Sequence, residues 1–461
     1  MIPPSDSRRV RPKRALKIVA TALVAALALI SLRVGGKPEA ELSADLPGIG
    51  PRTVVTALGR EPDRGLRRMT LELLQGERVT PLADREFEPR PVWSFWGEST
   101  AEAQIAVPVG STVTEGLVAG EATLRLTLWR AGTWLRTPDP VTHELLLPVR
   151  LTPPRLSVLS SQHYPRQGGS ETVVYRFGEH VVRHGVEVGE RFFPGYPLPG
   201  GGGSFTLFAV PYDLASDATI RLVAVDDLGN RAERAFVDLL RPREPRHDMI
   251  NVGDRFIERV ALQIESQTPE LTATGSLVER YLAINSGLRA SNRKQIADLA
   301  RDSAQEFLWQ GAFTPMPNGQ VMARFADRRT YFYEGREVDR QDHLGFDLAS
   351  VKRAKVPAAN SGIVVMTRFL GIYGNVVVID HGYGLMSLYG HLSSFEVATG
   401  DRVARGQTLG RTGQTGLAGG DHLHFAVFLH GVATDPVEWL DQDWIDNRVL
   451  AKLGIATGSA S

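Results

Sequence analysis

The sequence predicts a mainly β chain with one apolar helix near its amino terminus, and three observations carry that expectation. Between about residues 45 and 242, short runs alternate apolar and polar residues and are cut by Gly and Pro, the pattern of half-buried antiparallel strands. One uncharged apolar run, Ile18 to Leu32, follows a cluster of basic residues. Six of the eleven histidines lie from His343 onward, in apolar segments punctuated by glycine. The 461 residues call for about three domains at roughly 100–200 residues each. A composition 43% hydrophobic and 23% charged suits ordinary cores rather than disorder. Lys plus Arg (52) balances Asp plus Glu (52), which leaves no electrostatic footprint for nucleic acid. There is no cysteine, so disulfide frameworks, thiolate zinc sites, iron–sulfur clusters and cysteine nucleophiles are excluded, and any metal ligand must be His, Asp or Glu. No Walker sequence is present.

Residues 1–14 read as a basic cytoplasmic arm: Arg8, Arg9, Arg11, Lys13 and Arg14, with Lys17 beyond, face the single acid Asp6. Residues 15–32 read as a transmembrane anchor. Ile18 to Leu32 alone would rise about 22 Å, and including Ala15, Leu16 and a snorkelling Lys17 extends this to about 27 Å, enough for a thin bilayer. A cleaved signal peptide is the rival, because a run of this length also fits an h-region. Both place everything after Arg33 outside the cytoplasm.

The β region divides at Pro153-Pro154 into a first module, 45–152, and a second, 155–242. Strands are expected at Ala122–Trp129, Glu171–Phe177, Ser204–Val210 and Thr219–Val225, and the turn cluster Asp226–Asn230 gives the second module an immunoglobulin-like terminal hairpin. Both read as sandwiches serving as spacers or contacts to envelope proteins. Pro242–Pro245 marks a linker, beyond which 249–461 is expected to fold without the β modules. Residues 249–308 read as helical: Ser276 and Glu279 make a capping box for a helix to about Arg289, with Leu277, Tyr281, Ile284 and Leu288 as its packing face, and a second helix starts at Ser291 or Asn292 and runs to about Ala304.

The chemistry lies in 309–446, followed by a tail at 447–461. In GGDHLHFAVF, His422 and His424 fall two apart on an expected strand, so both imidazoles share one face about 6.6 Å apart. His343 and Asp347, in DHLGFDLAS, would stand about 13 Å apart on a flat strand, so the chain must curve for them to share an ion, and Gly345 permits that. His–Asp–His about one ion with an open position is a catalytic zinc arrangement.

HLGFD, LYGHLS, GDRVARGQTLGRTGQTG and HLHF, in that order, resemble the lysostaphin/LytM-type zinc metalloendopeptidases over about Phe313 to Leu440, a match that extends to Asp435-Pro436 and Trp439-Leu440. The resemblance implies an antiparallel β peptidase domain that cuts peptide bonds in peptidoglycan stems or cross-bridges. It implies one Zn2+ per chain, held by His343, Asp347 and His424. His391 and His422 would be the catalytic pair that orients the attacking water and stabilises the tetrahedral intermediate, with the general base open between them. The chain would then be a single-pass protein of the bacterial inner membrane with its body in the periplasm or extracytoplasmic space.

His381 is expected at a strand end and not as a ligand, His430 in a turn, and His143, His163, His180, His184 and His247 on the surface. GDRVARGQTLG, which also resembles half of a biotinyl barrel but has no lysine at its turn, reads as a β hairpin. Two rivals to the wall peptidase remain: a catalytically silent LytM-like regulator that activates other wall hydrolases, and a metalloprotease for protein substrates. Five positions holding the expected residue types favour the enzyme over the regulator.

Overall fold

The computed structural model describes residues 12–94, 96–271 and 274–455. The basic arm up to Arg11 and the last part of the tail, beyond 455, lie outside the described residues. The chain is mainly β and divides into two compact units, residues 1–154 with 225–231, and residues 155–224 with 232–461.

The first unit begins with the helix Pro12–Ser31, whose 20 residues rise about 30 Å. Its stretch Arg14–Ser31 is long and apolar enough to cross a membrane, and 6% of it is buried. The β part is two antiparallel sheets. One pairs Glu39–Ala44, Thr53–Arg60 and Glu102–Val109, and the other orders Arg78–Glu86, Leu66–Gln75, Gly120–Arg130 and Val141–Val149. Alternation along the strands decides what goes inside. Val55, Ala57, Leu124, Leu126 and Leu128 are fully buried while Val54, Thr56, Leu58, Thr123, Arg125 and Trp129 between or beside them are partly exposed.

Residues 156–234 form two four-stranded sheets. Arg191–Pro194, Val181–Val188, Ile220–Asp226 and Arg231–Arg234 form one, and Tyr196–Pro197, Ser204–Ala209, Ser170–Phe177 and Leu156–Val158 form the other. The turn cluster at 226–230 closes the expected hairpin, with Gly229 at φ 83° and Asp226 Oδ1 accepting from the Leu228 and Asn230 amides. Ser204–Ala209 is buried along its whole length rather than on alternate residues. The cause is a second packed face. Phe205 lies against Tyr383 and Phe307 (centroids 5.1 and 5.8 Å), Ser170 N donates to Glu438, and Lys452 pairs with Glu171 at 2.8 Å. One hydrophobic core therefore runs from Val173 and Phe208 through Val378 and Trp439. Pro242–Pro245 joins parts of one packed body rather than separating two.

The segment after that linker is not purely helical. His247–Asn251 is a strand paired in parallel with Asp327–Tyr333, which in turn pairs with Arg336–His343. The helix Asp254–Gln267 follows. The capping box at Ser276 and Glu279 forms as expected, but the two expected helices are continuous: Leu277–Leu282, a π-helical turn Ala283–Leu288, and Arg289–Leu299. Neither Gly nor Pro follows Leu288 to stop the run, and the extra residue per turn is absorbed as a π bulge.

The carboxy-terminal region is built on an antiparallel sheet. Its order is Gln320–Ala323, Phe346–Ala349, Leu423–Leu429, Leu385–Leu392, Asn375–Gly382, Gly362–Phe369 and Arg402–Val403, with Val432–Thr434 alongside Leu423–Leu429. Leu385–Leu392 and Leu423–Leu429 are buried at every residue, which fixes their register. The expected hairpin at 400–410 does not form. Arg402–Val403 pairs with Gly362–Ile363, while Thr408–Arg411 pairs with Lys355–Pro357 and Ser394–Phe395. The turn between them is tied outward, Gly406 N donating to Ala358 O, so the two short strands serve different sheets.

Candidate metal centre and active site

Two strand pairings assemble the site. Asp347 on Phe346–Ala349 lies directly opposite His424 on Leu423–Leu429, and on the other side of that strand Gly390 lies opposite His424, which puts His391 one residue away. His343 ends the strand Arg336–His343 and arrives from the neighbouring sheet. The chain does curve between His343 and Asp347. Gly345 matters there for space, because a Cβ on it would stand 2.7 Å from His424 Cε1 and 2.7 Å from Phe425 O.

The structure brings all five expected residues together. His343 Nε2, Asp347 Oδ1 and His424 Nδ1 lie 2.9, 3.0 and 3.1 Å from one another, and His422 Nε2 is 3.5 Å from Asp347 Oδ1. The His391 ring centroid is 4.7 Å from that of His422 and 5.8 Å from that of His424. His391 sits at φ 63°, a left-handed conformation that costs a non-glycine residue on the order of 1 kcal/mol or more. The surrounding sheet holds it there.

Backbone carbonyls set the tautomers. His343 Nδ1 bonds Arg324 O, His391 Nδ1 bonds Thr415 O and His422 Nδ1 bonds Gly420 O, at 2.8–2.9 Å, which leaves each Nε2 as the free nitrogen. His424 is turned the other way, Nδ1 inward, with Nε2 buried and unpartnered. A carboxylate oxygen and two imidazole lone pairs thus converge within 3.1 Å, an arrangement a cation resolves. This donor set fits a metal ion, and His343, Asp347 and His424 form such a group. Arg329 completes the centre by donating to the other Asp347 oxygen at 2.9 Å, which fixes the carboxylate's orientation.

Burial pushes Asp347 up, but the neighbouring His343 and the bonds from His343, His422 and His424 outweigh it and hold the carboxyl well below its usual range. Burial drives His391 well below the usual imidazole value and His424 down to about 4. The same histidines line a cavity of ≈ 380 Å³ whose lining also includes Tyr281, Arg289, Tyr331 and Tyr373.

Arg329, Tyr281 and Arg289 were not legible as site residues, since nothing in RFADRRT or in a helix's packing face signals a cavity wall. Among the other histidines, His381 is buried at a strand end on Ser361 O and Ser387 Oγ, and His430 is a turn residue at φ 48°, as expected. His143, His180 and His247 are exposed. His163 is not: it is 2% exposed, bonded to Ser160 Oγ and packed edge-on against Phe236. His184 is half-buried against Tyr175, whose hydroxyl bonds its Nδ1 at 2.8 Å.

Residues 341–436 match the model of peptidase family M23, so the chain carries an M23 domain there. It is 43% identical over 89 residues to the peptidoglycan DD-endopeptidase ShyA of Vibrio cholerae, covering 19% of this chain and 21% of that one. It is 36% identical over 96 residues to the murein hydrolase activator EnvC of Escherichia coli, covering 21% and 23%. The catalytic domain of the antimicrobial peptidase lysostaphin from Staphylococcus simulans is a structural neighbour at 26% identity and a TM-score of 0.20, covering 31% of this chain and 96% of that one. The chain spans about a fifth of the length of the curated relatives it matches.

Proposed function

We propose that this chain is a zinc-dependent endopeptidase that hydrolyses peptide bonds in peptidoglycan, anchored in the cytoplasmic membrane by Pro12–Ser31 with its body outside the cytoplasm. The observation that carries the reading is the completeness of the centre: His343, Asp347 and His424 converge on one point, and His391 and His422 flank it in the same cavity. Zinc held by those three residues would supply Lewis acidity to the scissile carbonyl and make water a nucleophile near neutral pH. The remaining work belongs to the chain's own groups. His391 and His422, fixed through Nδ1 on Thr415 O and Gly420 O, use their Nε2 atoms to hold and move the proton between attacking water and leaving amine, and to bond the developing oxyanion. Arg329 and the Arg324 carbonyl hold Asp347 and His343 in place. The two β modules offer surfaces to envelope proteins.

The test is digestion of purified peptidoglycan by the full-length protein, with fragments identified by mass spectrometry, alongside metal analysis of alanine variants. Loss of His343, Asp347 or His424 should strip zinc. Loss of His391 or His422 should keep most of it and lower turnover by roughly 10²–10⁴-fold. The similarity to a murein hydrolase activator keeps a second reading in play, a regulator that binds wall hydrolases. Zinc binding without release of fragments from any peptidoglycan would select it.

A further inference from the structure

The cavity at the centre is also lined by Arg289 and Tyr281, supplied by the segment after the linker and lying outside the matched domain at 341–436. Arg289 spends two N–H groups on Asn285, Nε on its carbonyl and Nη2 on its side-chain oxygen, inside the π-helical turn. No further partner of its guanidinium, and no carboxylate paired with it, is found among the described residues. Burial lowers its pKa, the direction of a cation enclosed without an anion. Tyr281 is 0% exposed, and its hydroxyl is buried with no hydrogen-bond partner. Arg329, on the same lining, donates Nη2 to Asp347, and its Nε is buried without a partner. A guanidinium without a paired anion and a phenol with an unmet donor, on the lining of one cavity, are what a carboxylate satisfies.

We propose that Arg289 and Tyr281 form a carboxylate subsite, holding a free carboxylate of the peptide whose scissile bond lies at the His343–Asp347–His424 group. The inference rests on the peptidase reading and deepens it. The carboxylate is either the terminal one or a side chain's, and the same experiment separates the two.

Binding is measured by calorimetry on the full-length His391→Ala protein with zinc bound, using a wall stem peptide in three forms: unmodified, C-terminally amidated and side-chain amidated. One amidation should weaken binding by roughly tenfold to a hundredfold, and which one it is names the source. Adding Arg289→Gln should erase that difference. Equal binding of all three forms, or a difference that survives Arg289→Gln, overturns the subsite. If Arg289→Gln loses zinc and its thermal transition, Tyr281→Phe replaces it, with a smaller loss of the same discrimination expected and unchanged discrimination counting against the subsite. Discrimination without turnover of any wall peptide by the unsubstituted chain would uphold the subsite and sink the enzyme, whereas turnover indifferent to both amidations would do the reverse.

A separate observation concerns the first unit. Trp93, Trp96 and Trp134 are 71%, 77% and 78% exposed, and their two loops hold the end of the apolar helix. Trp134 Nε1 donates to Ser31 Oγ, Arg33 Nη1 to Ser94 O, and Arg64 to the carbonyls of Arg33 and Gly132. Tryptophans at the exit of a membrane span occupy the headgroup layer, where the ring is half solvated and its N–H can bond. We infer that this face of the first β module rests on the outer surface of the phospholipid bilayer. Full-length protein in vesicles of lipid brominated near the headgroup should show quenched tryptophan emission, and Trp93→Ala, Trp96→Ala and Trp134→Ala together should abolish the quenching. Equal quenching in the triple variant, none in the parent, or a mature chain that begins after Ser31 overturns it.

Discussion

Replacing Gly345 with alanine tests the geometry of the centre without touching any ligand. The added Cβ would stand 2.7 Å from His424 Cε1, 2.7 Å from Phe425 O and 2.8 Å from His424 Nε2, against an ordinary contact of 3.4 Å or more. Some 0.7 Å must be found (3.4 less 2.7), and the neighbours are a backbone carbonyl in a fully buried strand and the ring of a ligand. Either Phe346–Ala349 moves away from Leu423–Leu429, parting Asp347 from His424, or the His424 ring tilts out of the cluster. Overpacking of this kind costs about 1–3 kcal/mol. At about 2–4 °C per kcal/mol for a body of this size, that lowers Tm by several degrees. Because Asp347 and His424 meet through one strand pairing, the metal should suffer more than the fold, and a misplacement near 1 Å costs on the order of 10²-fold in rate. Metal content and melting curves, each with and without added zinc, are the assay. A Gly345→Ala protein with wild-type zinc content and wild-type Tm would refute the close approach and, with it, the strand-pairing account of the site.

Arg329→Met removes the donor that holds the second Asp347 oxygen and should weaken zinc by roughly 10–100-fold in a chelator competition while leaving the melting temperature of the zinc-free protein within a few degrees. A truncated chain starting at Met249 uncovers the face of the shared core that Phe205 and Phe208 cover, and should be insoluble where one starting at Arg155 is soluble; a soluble, zinc-binding short chain would contradict the shared core. His163, His381 and His430 are held neutral by burial, each with its pKa lowered to about 4, so the unfolded chain binds more protons between about pH 6.5 and 4 and stability falls on acidification through that window. Glu438, raised by burial to about 8, works in the opposite sense, its contribution complete below about 4.5 and lost as pH rises through 8, but three histidines outweigh one carboxyl, so Tm should fall from pH 6.5 to 4.5; a flat or rising profile would count against the burial of these imidazoles.

The amino-acid sequence by itself determined whatever is written in local pattern. Period-two alternation placed the strand at Ala122–Trp129, whose Ala122, Leu124, Leu126 and Leu128 are buried, and Ser276 and Glu279 named a helix start by satisfying orphan amides within four residues. The five residues that the structure brings together were named from HxH on a strand, from HLGFD at a bend and, for His391, from a family resemblance, because such short motifs are local. Tertiary structure decided the rest. The full burial of Ser204–Ala209 comes from a second surface, Phe307 and Tyr383, far away in sequence. The short strands at 402–403 and 408–411 are paired by whichever neighbours leave a free edge, which no local pattern encodes. His163 was expected on the surface and is buried, since Ser160 and Phe236 supply its partner and its wall. Tyr281 was expected to pack and does, but it also lines a cavity whose walls come from the π-helical segment and from the M23 domain together, and its hydroxyl is left without a partner. Alternation and capping act over a few residues, and a sequence displays them; an unmet hydrogen-bond donor is defined by what surrounds it, and only the fold supplies the surroundings.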